Sequence, residues 1–491
     1  MEQKQNLYKL LILLVFFFLE LFAANAYSQG MTLVKAIELA RQNNNRIKEY
    51  REKVIESRYE DNVASSSFFP KITLQGTYMH LNNPLIVDLT PIRQAIITLQ
   101  ANNQTEIANI YSILRGVNLT NEQKYYLNQQ YYAALDANLP PFIDLFKKQN
   151  YPQAAFTIVQ PIFTGGRLIA AKHAASSSKR AAVEQMQQIN NEVIEETVKD
   201  YLTVLLLKQL VLTRENVLSA MRRHEREAEN LYHQGLISKQ DYLRAQVAVA
   251  DARQNLIDEE NKLYLAVIAL KHVINVDDTL NISPVDSLVY IPFDKPISHF
   301  LEEAANNQPI LKYISEKQNE AHDKYVAERG NLLPQVVAFG KYELFPQYLS
   351  TLEPGWAAGI EMSVTLFDGF GNYDKLESAK HLELEIQNLQ QEASRQVDLW
   401  VNKSYRSMTD AKERYINLEY NISLAKENLR AAEEKFQSGL GTSTDVVDAE
   451  LILEKESIER LQALFVYYSS IEDLYAAAGK ADAILQIWKS L

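Results

Sequence analysis

The sequence of 491 residues contains no cysteine. This absence excludes a disulfide framework, because a disulfide needs two cysteine side chains. It also excludes a zinc or iron–sulfur site with cysteine ligands and a lipid anchor on an N-terminal cysteine. The eight histidines are scattered along the chain without the spacing of a metal site, so we expect neither a metal nor a cofactor.

The sequence also lacks an excess of positive charge. It contains 50 lysines and arginines and 62 aspartates and glutamates, which give a net charge of −12. A protein that binds nucleic acid or an anionic membrane surface generally needs a positive patch. Nucleic acid is therefore not an expected partner.

Long apolar runs are confined to the N-terminus. Residues 1–28 are typical of a secretory signal peptide: Lys4 and Lys9 come first, the apolar run 10–19 follows, and Ala24-Asn25-Ala26 resembles a cleavage site. The apolar run is about half of the roughly 20 residues that span a bilayer, and no later stretch approaches that length. We therefore expect an exported protein in which any membrane-spanning part is built from β-strands.

Proline is scarce over two long stretches, with none between Pro161 and Pro284 and none after Pro354. Because proline inside a helix costs about 3 kcal/mol, these stretches permit very long helices. The longest predicted helix of each repeat would extend roughly 100 Å. The spacing of apolar residues predicts helices over 167–232, 239–275, 373–436 and 445–478.

The chain contains one pattern twice. Three motifs recur in the same order: Phe68-Phe69-Pro70 as Leu332-Leu333-Pro334, Phe163-Thr164-Gly165 as Phe367-Asp368-Gly369, and Tyr232-His233-Gln234-Gly235-Leu236 as Phe436-Gln437-Ser438-Gly439-Leu440. We therefore divide the mature chain into a first repeat at 29–290, a second repeat at 291–479 and a C-terminal tail at 480–491. An insertion at 82–150 enlarges the first repeat.

Each predicted return helix is about half as long as the helix before it. We expect a shorter helix to complete each column of the rod. On this interpretation the helix near 298–331 stacks on the first return helix, and the helix near 32–66 stacks on the last one.

Four segments alternate between apolar and polar residues and are predicted strands: 70–81, 154–164, 335–346 and 356–367. Such segments of about ten residues are typical of tilted transmembrane strands. A soluble hairpin with one buried face shows the same pattern and remains the alternative. Four strands cannot close into a barrel, so a membrane-spanning form requires several copies of the chain. Two copies would give a filled barrel of eight strands, and three would give twelve strands around a lumen.

Two motifs, Gln160-Pro161-Ile162-Phe163-Thr164-Gly165-Gly166-Arg167 and Tyr232-His233-Gln234-Gly235-Leu236-Ile237-Ser238-Lys239-Gln240-Asp241, resemble the TolC family of outer-membrane efflux proteins. The resemblance extends over both halves of the mature chain. It implies a mainly α fold with a membrane β part, in which a trimeric twelve-stranded β-barrel continues into a twelve-helix periplasmic α-barrel. Each chain would contribute four strands. It also implies an equatorial belt that involves 277–297 and the C-terminal tail.

The same resemblance implies a passive exit duct of a tripartite efflux pump or a type I secretion system. The duct would lie in the outer membrane of a Gram-negative-type cell, with most of the chain in the periplasm. The implied partners are two further copies of the chain, outer-membrane lipid, a periplasmic adaptor and an inner-membrane transporter. Contact with the adaptor and transporter would open the periplasmic tip.

Two other classes of protein fit the sequence less well. An enzyme is not expected, because His224-Glu225 is followed by alanine rather than histidine at position 228, and a lone histidine on a solvated helix is usually a surface residue. A periplasmic adaptor or coiled-coil spacer without a pore is the alternative function. An adaptor would usually show one helical hairpin, whereas this sequence predicts two.

The two hairpin tips carry the candidate functional residues. Asp445 and Asp448 lie three residues apart on one helix face, so a trimer would stack them into two rings of carboxylates. The resemblance matches these rings to the acidic periplasmic entrance of the family, and it places Asp241 at the gate. The alternative role of the acidic pair is to complement the positive end of the helix dipole. The residues expected to form the tip turns and to contact the adaptor are Gly235, Leu236, Ile237, Ser238, Gly439, Leu440, Gly441 and Thr442.

The tip departs from relatives that have a well-described closed gate. Those relatives resemble this chain at Asp241 but carry an arginine at the position of Gly441 and a tyrosine at that of Phe436. Neither glycine nor phenylalanine can make the corresponding polar contact with Asp241, so the same latch cannot form here. Either other residues hold the entrance shut, with Lys239 and Ser443 as the candidates, or the entrance is looser than in those relatives.

The insertion at 82–150 should lie on the external side of the membrane, because it joins the first two strands. It is rich in asparagine, glutamine and tyrosine, and its stretch 92–114 has helical character. We expect a surface loop that packs over the barrel mouth. A capping or partner-specific function is the alternative.

Overall fold

This computed structural model describes residues 29–140, 143–277, 279–350 and 352–488. The predicted signal peptide at 1–28 and the last three residues of the predicted tail lie outside these ranges. The chain divides into two compact units. Among the described residues, the helical unit comprises 29–63, 169–326 and 373–488, and the strand unit comprises 64–168 and 327–372.

The elements follow one another as the sequence repeat suggests. In chain order the helices are α1 (Leu33–Asn43), α2 (Asn45–Ser66), α3 (Thr90–Leu114), α4 (Asn121–Asn138), α5 (Arg167–His233), α6 (Lys239–Ile274), α7 (Ile297–Asn307), α8 (Pro309–Gly330), α9 (Gly371–Gln437), α10 (Ser443–Ala477) and α11 (Ile484–Trp488). The strands are β1 (Gln29–Met31), β2 (Lys71–His80), β3 (Leu85–Asp88), β4 (Ile143–Lys147), β5 (Asn150–Phe163), β6 (Ile282–Pro284), β7 (Gln335–Glu343) and β8 (Trp356–Ser363).

The helix lengths show the duplication directly. Helices α1, α2, α5 and α6 have 11, 22, 67 and 36 residues. Helices α7, α8, α9 and α10 have 11, 22, 67 and 35 residues. The second set therefore repeats the first almost residue for residue. We call α5 with α6 the first hairpin and α9 with α10 the second hairpin.

The predicted stacking of short helices on return helices is wrong in its pairing. The helical conformation is interrupted between α1 and α2 at Asn44. The buried side-chain amide of Asn44 donates a 2.9 Å hydrogen bond to the carbonyl of Val273, near the end of α6. A second interruption lies between α7 and α8 at Gln308, whose side-chain amide donates to the carbonyls of Ala476 and Ala477, at the end of α10. Each short helix thus meets the return helix of its own repeat. These amides satisfy carbonyls that a helix end leaves without a partner.

The core of the helical unit is built from large aromatic side chains whose polar atoms are satisfied. Tyr201, Tyr467 and Tyr468 are completely buried. The hydroxyls of Tyr467 and Tyr468 donate to the carbonyls of Ile291 and Val289, at 2.8 and 2.5 Å. The segment at which the first repeat joins the second is therefore fastened to α10 by hydrogen bonds as well as by apolar packing.

The strand unit contains a four-stranded antiparallel sheet in the order β2-β5-β7-β8. The insertion follows β2 and consists of the β3–β4 ribbon and the helices α3 and α4. Arg93 of α3 ties the two helices together, because its guanidinium donates to the Asp136 carboxylate at 2.6 Å and to the Leu139 carbonyl at 2.6 Å. The insertion is thus a folded helical hairpin rather than a loop with one helix.

Among the helices of the described residues, none combines the length and the apolar character needed to cross a membrane.

Candidate functional site

One face of the four-stranded sheet is apolar and exposed. In the observed register Ile72 is opposite Ile158, and Leu74 is opposite Phe156. Tyr342 is opposite Trp356. The exposed apolar side chains of this face are Ile72, Leu74, Tyr78, Phe156, Ile158, Tyr342, Trp356, Ile360 and Met362. Large side chains exposed side by side mark a surface that contacts an apolar environment.

The opposite face of the same sheet is polar. Thr73 lies opposite Thr157, and Gln153 lies opposite Thr77. The polar side chains at the alternating positions of this face are Lys71, Thr73, Gln75, Thr77, Gln153, Thr157, Gln335, Lys341, Glu343, Glu361 and Ser363. Four strands with one apolar and one polar face match the pattern of membrane strands that have lipid on one side and water on the other.

The polar face also carries apolar side chains, among them Met79, Tyr151, Val159 and Val337. Phe339 is a further large one. Its register partner is Gly359 of β8, where an added Cβ would lie 3.1 Å from the ring. The glycine thus leaves room for the aromatic ring to cover the strand. Nearby, Glu343 is almost fully buried and accepts bonds from Lys341 at 2.6 Å and Gln153 at 3.2 Å. This face is therefore an ordered polar surface.

The two hairpin tips have the same backbone design. Gly235 and Gly439 both have positive φ, 74° and 70°, which glycine adopts at least cost. The next N–H groups close each helix in the same way: Leu236 donates to Leu231 and Leu440 donates to Lys435, each at 2.9 Å. This arrangement is the Schellman motif that ends helices. The sequence prediction that both glycines reverse the chain therefore agrees with the backbone geometry.

The first tip continues into α6 through Ser238. The Ser238 hydroxyl accepts from the Asp241 N–H at 3.2 Å and donates to the Asp241 carboxylate at 2.6 Å. The other carboxylate oxygen of Asp241 accepts from the N–H of Ser443, in the second hairpin, at 3.4 Å. Of the two candidates to replace the missing latch, Ser443 therefore reaches Asp241, and it does so through its backbone.

The second tip continues into α10 through Thr442. Thr442 and Asp445 form a reciprocal capping box, with bonds of 2.7 Å from the Thr442 N–H and 3.2 Å from the Asp445 N–H. The bonds that its carboxylate accepts from the N–H and the hydroxyl of Thr442, at 2.7 and 2.8 Å, hold the pKa of the Asp445 carboxyl below its ordinary value. Asp445 thus has a structural role at the helix start. Asp448 lies one turn further along and is exposed.

Other tip residues divide between exposed and buried positions. Leu236 and Leu440 are 62% and 83% exposed, so the turns present apolar side chains to the surroundings. Ile237 instead packs against the buried cluster of Ala228, Ala245, Phe436 and Val446. Gly441 is close to the end of α9, since an added Cβ would lie 3.1 Å from the Phe436 nitrogen. A larger residue at position 441 would have to move this contact.

The expectation that the histidines are surface residues is wrong for His224. Only 6% of this residue is exposed, its Nε2 lies 2.8 Å from the Ser443 hydroxyl oxygen, and its ring centroid lies 4.8 Å from that of Phe436. Burial lowers the pKa of His224 to about 4. Its place after Met221 and before Ala228, at helical spacing on the buried face, is a signal in the sequence that could have located it.

Comparison with known proteins places this fold among export channels. A family profile described as outer membrane efflux protein matches residues 146–276 and 300–480. Protein CyaE of Bordetella pertussis is 23% identical over 238 residues, which cover 46% of this chain and 49% of that protein. Toxin and drug export protein A of Aggregatibacter actinomycetemcomitans is 23% identical over 328 residues, covering 63% of this chain and 70% of the relative. The chain thus spans about half the length of the first relative.

Solved structures show the same fold at low identity. The crystal structure of the Campylobacter jejuni CmeC outer membrane channel matches with a TM-score of 0.70 and 15% identity, over 94% of this chain and 89% of the channel. Most of the insertion precedes the first range that the family profile matches. Because that profile covers more than half of the sequence, the chain belongs to the outer membrane efflux protein family.

Proposed function

We propose that this protein is the outer-membrane exit duct of a tripartite efflux pump or type I secretion system. The observation that carries the proposal is the sheet with one exposed apolar face and one polar face. A wall that separates lipid from water needs these two faces. Membership in a family of outer membrane efflux proteins supports the same conclusion.

The sheet also argues for a trimer. Within the described strands, β2 and β8 each pair with one neighbour and so form the two edges of the sheet. Unpaired strand edges are not tolerated in hydrocarbon, so the edges of one chain would pair with those of its neighbours. Eight strands would enclose only side chains, whereas twelve would enclose water. Three copies therefore form the smallest assembly that conducts.

The hairpin tips would form the periplasmic entrance. The exposed Leu236 and Leu440 offer apolar contacts to a periplasmic adaptor, which would connect the duct to an inner-membrane transporter. The duct itself would be passive, and the transporter would supply energy and choose the substrate. The name of the Aggregatibacter relative refers to both toxin and drug export, and this protein would likewise carry either a secreted protein or small molecules.

The acidic residues at the tip would set ion preference. In a trimer Asp448 and Asp445 would form rings of carboxylates that attract cations, with Asp241 beside them. The variant Asp445→Asn with Asp448→Asn should weaken cation selectivity and block by multivalent cations, because asparagine keeps an acceptor for the capping box while it removes the charge. The control is Asp251→Asn, which changes an exposed aspartate of α6 far from the turn. Unchanged reversal potentials in the double variant would remove the ring from the proposal.

The proposed function is tested by recording from purified protein in planar bilayers. We expect discrete conductance steps from the folded oligomer, and silence from a correctly folded oligomer would contradict the duct. Cell fractionation separates the duct from the alternative of a soluble adaptor or spacer. Recovery of the exported protein in the outer-membrane fraction supports the duct, whereas recovery in the soluble periplasmic fraction supports the alternative.

A further inference from the structure

Ser443, in the second hairpin, bonds to both helices of the first hairpin. Its side chain is completely buried, and its hydroxyl oxygen lies 2.8 Å from Nε2 of His224 in α5. Its backbone N–H donates to the carboxylate of Asp241 in α6 at 3.4 Å. Because Ser443 begins α10, these contacts hold the start of that helix against the first hairpin.

His224 is buried, and its ring is held in place by apolar packing. Its ring packs on Phe436 of α9, with 4.8 Å between centroids and 58° between planes. Phe436 is itself completely buried and forms a small core with Ala228, Ala245 and Val446. A neutral imidazole has one donor and one acceptor nitrogen, so either tautomer can complete a bond to a hydroxyl. Packing against Phe436 therefore holds the imidazole ring in the orientation in which it bonds to the Ser443 hydroxyl.

The contact between His224 and Ser443 lies in the tip region where the relatives have a latch that this chain lacks. Gly441 has no side chain to bond with Asp241, and Phe436 uses its ring for packing rather than a hydroxyl for bonding. The residues that connect the two tips here come from different positions, α5 and the first turn of α10. A channel tip that opens by separating its hairpins must break these bonds, because they run between the hairpins.

We propose that His224 is a positioning residue that holds the second hairpin tip against the first through Ser443 and so keeps the periplasmic entrance constricted. The inference rests on the proposed function as a duct. A bond between two neutral groups suits this role, since both partners can bond to water once the hairpins separate. Three such bonds in a trimer would be released together by an adaptor that contacts the tips.

The test uses the full mature trimer in planar bilayers. Ser443→Ala removes the hydroxyl but keeps the backbone N–H that bonds to Asp241. We expect at least a twofold increase in conductance in the absence of adaptor, with the thermal midpoint of the trimer nearly unchanged. The matched control is Ser457→Ala in the same helix. Its hydroxyl bonds to the Leu453 carbonyl within α10, at 2.7 Å, so this variant should conduct like wild type.

A second pair of variants tests the other partner. His224→Leu should raise conductance as Ser443→Ala does, and the two together should add nothing further, because both remove one bond. His224→Gln keeps a side chain that can bond to the hydroxyl and should stay near the wild-type conductance. A role in folding alone would lower the thermal midpoint and leave conductance unchanged, which would overturn the inference.

The outcomes separate the two proposals. A wild-type trimer that never conducts contradicts the duct itself. A wild-type trimer that conducts, with Ser443→Ala conducting identically, overturns the role of His224 and leaves the duct in place. If Ser443→Ala does not assemble, His224→Leu decides, since it leaves Ser443 intact. Failure of both to assemble would also overturn the inference, because the bond would then be needed to fold rather than to gate.

Discussion

The indole of Trp488, in the last described helix, donates a 2.8 Å hydrogen bond to the Asp286 carboxylate. The same oxygen of Asp286 accepts from the Tyr201 hydroxyl at 2.6 Å and from the Leu33 N–H at 2.9 Å. One side chain near the end of the first repeat therefore connects the start of α1, the middle of α5 and the C-terminal α11. We expect this three-way contact to be part of the belt that the sequence resemblance implies for 277–297 and the C-terminal tail.

Replacing the carboxylate of Asp286 should loosen all three segments. Asp286→Ala leaves the N–H groups of Trp488 and Leu33 without their acceptor, whereas the Tyr201 hydroxyl keeps the Met31 carbonyl at 2.7 Å. We therefore expect a loss of about 3 kcal/mol in unfolding free energy. Chemical denaturation followed by tryptophan fluorescence measures it. Asp294→Ala, an exposed aspartate in the same segment, is the control and should change little. Equal effects of the two substitutions would contradict the anchoring role.

The buried Glu450 of α10 should make the second hairpin sensitive to pH. Burial, together with the nearby Glu433 and Glu454, raises the pKa of Glu450 to about 7. The folded state therefore holds a proton that the unfolded state has lost above about pH 4.5, so stability falls as pH rises from about 5 through 7. Glu450→Gln should reduce this fall by on the order of 1 kcal/mol or more.

Thermal midpoints of wild type and Glu450→Gln at pH 5.5 and pH 8 check this prediction. The difference between the two pH values should shrink in the variant. Glu385→Gln, which changes an exposed residue of α9, should behave like wild type. A pH dependence unaffected by Glu450→Gln would show that other groups cause it.

Two adjacent residues of β8 provide a matched test of the sheet faces. Ile360 is 72% exposed on the apolar face, and Glu361 is on the polar face. Ile360→Lys places a charge toward lipid and should cost about 2 kcal/mol or more of stability in vesicles. Glu361→Lys faces water and should fold normally while shifting ion selectivity toward anions. The reverse ranking of folding yields in lipid vesicles would mean that the faces are assigned wrongly.

Elements with a strong periodic signal were readable from the sequence. The alternation over 356–367 predicts a strand, and the structure has β8 at Trp356–Ser363. The long helices begin and end close to the predicted positions because stretches without proline and with regular apolar spacing leave little choice. The glycines at the tips were readable for the same reason, since a chain reversal after a helix needs a residue that tolerates positive φ.

Features that depend on one side chain or on tertiary contacts were harder to read. The helix α4 was missed, although Thr120 and Gln123 form a capping box that marks its start. Its composition is polar and resembles that of a loop, and tertiary contact with α3 stabilises it. The role of Ser443 toward His224 joins residues 219 positions apart, so local sequence cannot show it. The sequence predicted that each short helix stacks on the return helix of the other repeat. This pairing was wrong because two nearly identical repeats offer two plausible pairings.

Electron microscopy of the detergent-solubilised native particle, viewed along its symmetry axis, tests the central claim most directly. The account predicts threefold symmetry, with a ring of twelve strands and a lumen that continues between the long helices. A particle made of one self-contained subunit, or a symmetric particle whose centre is filled with protein along its whole length, would contradict it.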